Sequence, residues 1–145
     1  MTPRIDECKV VGLPQVLRDD QGNLTALEGG SEQLGFDPAR VFFLYDIPGG
    51  AARGGHAHHR CEQLIVCVMG AFRVAVDDGD YRRIVTLDRA YYGLYVPPLI
   101  WTELHDFSSG AVCLVVASQP YDEDDYIRDY DTFASVADRR LMRTA

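Results

Sequence analysis

Between Arg40 and Ser118 the apolar residues come in runs of about six to eight, too short to cross a bilayer and bounded by turn formers. The breaks are Pro48-Gly49-Gly50, Gly70, Asp78-Gly79, Pro97-Pro98 and Ser108-Ser109-Gly110. Within the runs, β-branched and aromatic residues dominate and often alternate with polar ones, the period of a half-buried strand. Strands are expected over 40–47, 63–69, 71–77, 81–87, 91–96, 101–107 and 111–118. Residues 8–13 read as a short edge strand. A turn at 19–23 leads into a further short strand over 24–28. The one helix expected is short and late, about 134–142, with arginines near its end where the helix dipole favours cations. The alternation of strand and helix that builds parallel sheets is absent, and the glycine clusters lack the GxGxxG spacing of a dinucleotide fold. An all-β barrel or sandwich is the architecture left.

A chain of 145 residues is enough for one domain with its own core. Composition is that of an ordinary soluble protein, 47% hydrophobic and 25% charged. A formal net charge of −8 argues against nucleic acid as a partner, although a local pair of arginines can still hold a small anion. No membrane span or secretory leader is expected, which makes the cytoplasm the default location. The four cysteines are widely spaced with no CxxC, so neither a four-cysteine zinc site nor disulfides are expected.

The chemistry concentrates in 50–63, Gly-Ala-Ala-Arg-Gly-Gly-His-Ala-His-His-Arg-Cys-Glu-Gln, which holds three of the four histidines. A glycine-rich loop here feeds titratable groups onto the start of a strand. If the strand has begun by His56, then His56 and His58 share a face and His59 points away. The pair suits a metal site, metal-free acid–base work near neutrality, or simple closure of a barrel mouth. Gly50, His56, His58 and Glu62 follow the first metal motif of cupins. The second motif, Pro-x-Gly-x-x-His, is missing: 97–102 contains neither glycine nor histidine. No metal centre and no cofactor are expected. Glu62 could orient a histidine by accepting its second N–H. Arg53 and Arg73 are candidate phosphate contacts, because the guanidinium fork suits phosphoryl oxygens. In 101–107, strand parity puts Trp101, Glu103, His105 and Phe107 on one face. Trp101 and His105 are therefore candidate pocket groups, as is Tyr45. The acidic run 122–131 reads as a solvated loop.

Taken together, Arg53-Gly54-Gly55-His56-Ala57-His58, Glu62-Gln63, Gly93-Leu94-Tyr95-Val96, the block from Trp101 to Ser109 and the block from Tyr121 to Tyr130 resemble the dTDP-4-keto-6-deoxyglucose 3,4-ketoisomerases. These are the WxcM-like, or FdtA-like, branch of the cupin superfamily. The likeness covers about 10–133. It implies a single cupin-type double-stranded β-helix, or jelly roll, with a short C-terminal helix. It also implies a metal-independent homodimer acting on a dTDP-linked 4-keto-6-deoxyhexose. The family's paired histidines match His56 and His58, and its arginines match Arg53 and Arg73. The chain departs from relatives that carry tyrosines just after the arginine matching Arg40, having Phe42 and Phe43 instead. It departs again at Thr102, where some relatives have histidine. The implied reaction moves the ketone from C4 to C3 through an enediol, with His58 shuttling the carbon-bound proton and His56 serving the oxygens. Two alternatives stand beside it: a 3,5-epimerase on similar nucleotide sugars, and a sugar-binding cupin without turnover.

Overall fold

The computed structural model describes residues 4–144. Ten strands follow a 3-10 turn at Arg4–Glu7: β1 (Lys9–Gly12), β2 (Arg40–Leu44), β3 (Arg53–His58), β4 (Gln63–Met69), β5 (Phe72–Asp77), β6 (Arg82–Leu87), β7 (Tyr92–Val96), β8 (Trp101–His105), β9 (Val112–Ala117) and β10 (Tyr126–Ile127). One helix, α1 (Tyr130–Thr144), closes the chain. The strands form two five-stranded sheets, β1-β7-β4-β9-β2 and β10-β3-β8-β5-β6, antiparallel throughout. From β2 to β10 the chain switches sheets at every step but the β5–β6 hairpin, as in a jelly roll.

Alternation along the strands builds the core. Ile65, Cys67, Leu94, Cys113 and Val115 of the first sheet meet Phe72, Val74, Val76 and Leu104 of the second. All four cysteines are buried and free. A second cluster lies on the outer face of the first sheet, where Leu64, Val66 and Val116 are covered by Leu13, Leu34 and Phe36. A third lies beneath α1, where Ala57, Trp101 and Ile127 pack on Phe133 and Ala137. The second sheet is therefore apolar on both faces over part of its width.

Three elements differ from the sequence reading. Residues 24–28 form no strand; Val16 and Leu24 make only an isolated bridge, and Leu24 stays exposed with nothing to bury it. The helix starts at Tyr130 rather than 134. Asp129 caps it, its Oδ2 accepting from the Thr132 amide at 2.9 Å and the Thr132 hydroxyl at 2.8 Å. The acidic run is not simply a solvated loop, because it contains β10 and the buried Asp125. Strand β8 also stops at His105. Asp106 takes a left-handed φ of 56°, which breaks parity and turns Phe107 inward onto Phe72, their ring centroids 5.2 Å apart.

Candidate active site

β3 enters the site through a distortion. Gly54 has φ +82° and the β3–β8 register shifts between Gly54 and His56. A Cβ at Gly54 would lie 2.8 Å from the Thr102 carbonyl oxygen, so only glycine allows the two backbones to come so close. Past the bulge, His56 and His58 both face inward and Ala57 faces α1. The two rings lie edge to face, 5.1 Å between centroids, as strand parity predicts. His59 points out and is exposed, again as parity predicts.

Tyr126 of β10 is registered opposite His58, and its ring packs on both histidines at 4.9 and 4.3 Å. His58 is held at both nitrogens. Asp125 Oδ2 accepts from Nδ1 at 3.0 Å, and the Gln63 side-chain amide lies 3.4 Å from Nε2. The Asp125 carboxylate also accepts backbone N–H groups, Arg60 at 2.8 Å and Cys61 at 3.2 Å. It is ringed by donors, so it fixes the proton on Nδ1 and leaves Nε2 as the basic nitrogen, where the Gln63 amide donates to it. Glu62, the carboxylate expected to do this, instead accepts from the Tyr95 hydroxyl at 2.6 Å.

Electrostatics separate the two imidazoles. Burial, helped by the neighbouring His58 and by Arg128, pushes His56 down to about 4. Its Nδ1 is buried and has no hydrogen-bond partner among the described residues. Burial also lowers His58, but the hydrogen bond and charge of Asp125 oppose that shift. His56 therefore stays neutral at cellular pH, while an imidazolium at His58 has a counter-charge waiting.

His56 lines a cavity of about 80 Å³ with Phe42, Leu44, Arg53, Gln63 and Thr102, and His58 stands behind that lining, against the His56 ring and the Gln63 amide. That space has room for one end of a ligand only, since a whole drug-sized ligand needs roughly 300–1,000 Å³. Leu44 and Arg53 also line an outer concavity of about 370 Å³ with Phe43, Tyr45 and Pro48. Phe43 and Tyr45 are exposed there, ring centroids 5.6 Å apart. Arg40 stands at the other side of the mouth. It packs on the Phe42 and Tyr121 rings and donates to the Tyr126 hydroxyl at 3.4 Å, while its Nε is buried without a partner among the described residues.

The remaining sequence candidates fall elsewhere. Arg73, Trp101 and His105 lie on the face of the second sheet opposite the histidine pair. Arg73 pairs with Asp106 at 3.6 Å, and Glu103 accepts from the Trp101 indole at 2.8 Å and contacts His105 Nε2 at 3.1 Å. Trp101 packs under α1 against Phe133 and Tyr130. Sequence reasoning missed Asp125, Tyr126, Gln63 and Arg40 as parts of the mouth. For Asp125 and Tyr126 the usable signal was an apolar pair, Tyr126-Ile127, inside an acidic run. The metal-ligand chemistry on offer is a nitrogen, a sulfur and an oxygen from the buried His58, Cys61 and Asp125, all within 4.8 Å of one another.

A double-sheeted antiparallel barrel with a buried histidine pair and a carboxylate-held imidazole at its mouth defines a cupin-like acid–base protein. The family described as FdtA, WxcM-like, C-terminal matches residues 6–138, and the chain belongs to it. A TDP-4-oxo-6-deoxy-alpha-D-glucose-3,4-oxoisomerase of Aneurinibacillus thermoaerophilus is 45% identical over 127 residues, 88% of this chain and 90% of that protein. Among solved structures, QdtA, a sugar 3,4-ketoisomerase of Thermoanaerobacterium thermosaccharolyticum in complex with TDP, superposes with a TM-score of 0.88. It is 34% identical, over 92% of this chain and 96% of that one. The WlaRB TDP-quinovose 3,4-ketoisomerase of Campylobacter jejuni reaches a TM-score of 0.83 and 37% identity, over 88% of this chain and 97% of that one.

Proposed function

We propose that this protein is a dTDP-sugar 3,4-ketoisomerase that converts dTDP-4-keto-6-deoxyglucose to the 3-keto isomer. The observation that carries the reading is the packing of a carboxylate-held His58 edge to face on a neutral, desolvated His56 that lines one small cavity. The C4 carbonyl acidifies the C3 proton, which His58 Nε2 takes. The proton that the C3 hydroxyl gives up passes to the vicinal C4 oxygen, with the neutral His56 ring hydrogen-bonded to the two oxygens, and the ketone is left at C3. His58 gives its proton to C4 and is neutral again. No bond other than C–H and O–H is made or broken, so proton position and charge stabilisation at the enediolate carry the acceleration.

Sharing of Leu44 and Arg53 by the two cavities supports a seating for the rest of the ligand. The sugar occupies the inner space, the diphosphate lies at Arg53, and the base lies over Phe43 and Tyr45. Arg73, Trp101 and His105 have no part in that seating. The exposed apolar residues Val10, Val41 and Val68 on the first sheet suit burial against a second copy, and a homodimer is the assembly proposed. Among the described residues, no helix is long and apolar enough to cross a membrane. The cytoplasm is the proposed location.

The test is proton NMR of the purified protein with dTDP-4-keto-6-deoxyglucose in D2O. Appearance of the 3-keto isomer with deuterium at C4 is the expected result. Deuterium at C5 with no 3-keto product would transfer the assignment to an epimerase, and an untouched sugar would leave a binding role.

A further inference from the structure

The loop that shapes the His58–Asp125 pair also brings in a thiol that no step of the isomerisation uses. Cys61 is 2% exposed, beside His58 at 6% and Asp125 at 2%. Its Sγ, an Asp125 carboxylate oxygen and an His58 ring nitrogen lie within 4.8 Å of one another. We propose that His58, Cys61 and Asp125 form a latent site for a thiophilic divalent cation of the zinc class, and that its occupancy switches the isomerase off. The switching part rests on the catalytic reading of His58.

The donor set selects the metal. One thiolate, one imidazole and one carboxylate suit zinc or cobalt, whereas magnesium and calcium want oxygen alone. Bond lengths of roughly 2.0–2.3 Å put tetrahedral ligand atoms about 3.3–3.7 Å apart. The His58 Nδ1 and Asp125 Oδ2 atoms are 3.0 Å apart already. The sulfur, within 4.8 Å of the other two atoms, has to close by about 1.5 Å at most, within reach of a change in one side-chain torsion. The carboxylate needs no reorganisation, since the Arg60 and Cys61 amides hold it in place. Arg60 Nη2 stands 3.8 Å from Asp125 Oδ1, but that side chain is 58% exposed and can swing into solvent. A thiolate and a carboxylate neutralise the cation's two charges, which removes most of the cost of placing it in a buried site.

Binding balances without any other reagent. Cys61 loses its thiol proton to solvent. The proton on His58 Nδ1 is replaced by the metal, and the ring takes up a proton at Nε2 instead. The tautomer is thereby inverted. Nε2 then carries a hydrogen, and the nitrogen that would accept the C3 proton is no longer basic.

The experiment uses metal-free full-length protein and two metals. Cobalt(II) titration should produce a thiolate-to-cobalt charge-transfer band and the strong visible absorption of a four-coordinate site, three positions filled by these side chains and the fourth by water. Both should be lost in Cys61→Ser and in Cys61→Ala. Zinc should abolish ketoisomerase turnover in the parent protein, with recovery on chelation. Each variant should keep its metal-free turnover and need at least about tenfold more zinc for the same inhibition, since even groups behind the ligands shift metal affinity by about 10–100-fold. Absence of the cobalt band in the parent protein would overturn the site, as would equal zinc sensitivity in parent and variants. A cobalt band in a protein that never isomerises the sugar would keep the site and overturn the switch together with the catalytic reading.

Discussion

Asp125 Oδ2 lies 3.0 Å from His58 Nδ1, across a separation of 67 residues, and neither group is more than 6% exposed. The carboxylate fixes which nitrogen of His58 is basic and, in the proposed reaction, stabilises the imidazolium formed when a carbon-bound proton is taken. Replacing Asp125 by Asn keeps the size and one acceptor oxygen but removes the charge. Turnover should fall by about 10²–10⁴, the range associated with impaired general acid–base catalysis. KM should move little, because Asp125 sits behind the histidine. Steady-state kinetics with a thermal melt would separate this from unfolding, and a large KM rise at unchanged kcat would show that Asp125 serves binding instead.

The division of labour proposed for the two histidines predicts different failures. His58→Asn should abolish exchange of the C3 proton with solvent, since it removes the base. His56→Asn should retain measurable exchange at C3 while forming little 3-keto product. Deuterium incorporation followed by NMR reads both steps in one tube. Exchange lost in His56→Asn and kept in His58→Asn would reverse the assignment.

Arg53 and Arg73 look alike in sequence, and the fold sends them to opposite faces. Arg53 shares its cavity with His56, whereas Arg73 is bound to Asp106 on the outer face at 58% exposure. Arg53→Ala should raise KM by about ten- to a hundredfold, the loss of one charge-assisted contact of about 1.5–3 kcal/mol. Arg73→Ala should change kcat/KM by no more than about twofold, as surface changes usually do. Initial rates across substrate concentration decide this, and equal effects of the two changes would contradict the seating proposed for the diphosphate.

The sheets were legible in the sequence because strands write their period into it. Phe72, Val74 and Val76 alternate, and all three are core. The histidine pair followed from the same rule. Parity states which residues share a face, but not which face is inside. On β5 the answer was available, since the large apolar set marks the interior and Arg73 lies on the other side. On β8 the cue misled, because α1 gives the outer face its own core and Trp101 belongs to it. Asp125 was legible only through the apolar pair Tyr126-Ile127 that follows it in the acidic run. Its partner is distant in the chain and its neighbours are acidic, so local composition pointed to solvent.

Gly54 makes a backbone prediction. Its φ of +82° and the 2.8 Å approach of a Cβ to the Thr102 carbonyl mean that alanine requires β3 and β8 to separate. Strain of about 1–3 kcal/mol is expected, seen as a lower melting temperature. The displacement would fall two residues before His56, so turnover should drop more than KM rises. Gly55→Ala is the control, because its φ of +78° carries similar strain with nothing within 4 Å of the added Cβ. It should lose stability yet keep more activity, and equal activity losses would remove the close approach from the explanation.

Burial of His56 ties stability to pH. Its folded value, about 4, lies below the ordinary 6.5 because burial disfavours the charged ring. The unfolded chain therefore binds a proton first as pH falls. The contribution is fully present above about pH 6.5, is lost progressively between 6.5 and 4, and stays lost below. The difference corresponds to about 3 kcal/mol at most. His58 is also lowered and adds loss in the same direction below 6.5. Denaturant melts of the parent protein and His56→Asn between pH 7 and 4 measure the term directly. Asparagine does not titrate, so the parent should lose stability more steeply than the variant over that interval. Parallel curves would show that His56 is protonated as readily in the folded protein as in the unfolded chain.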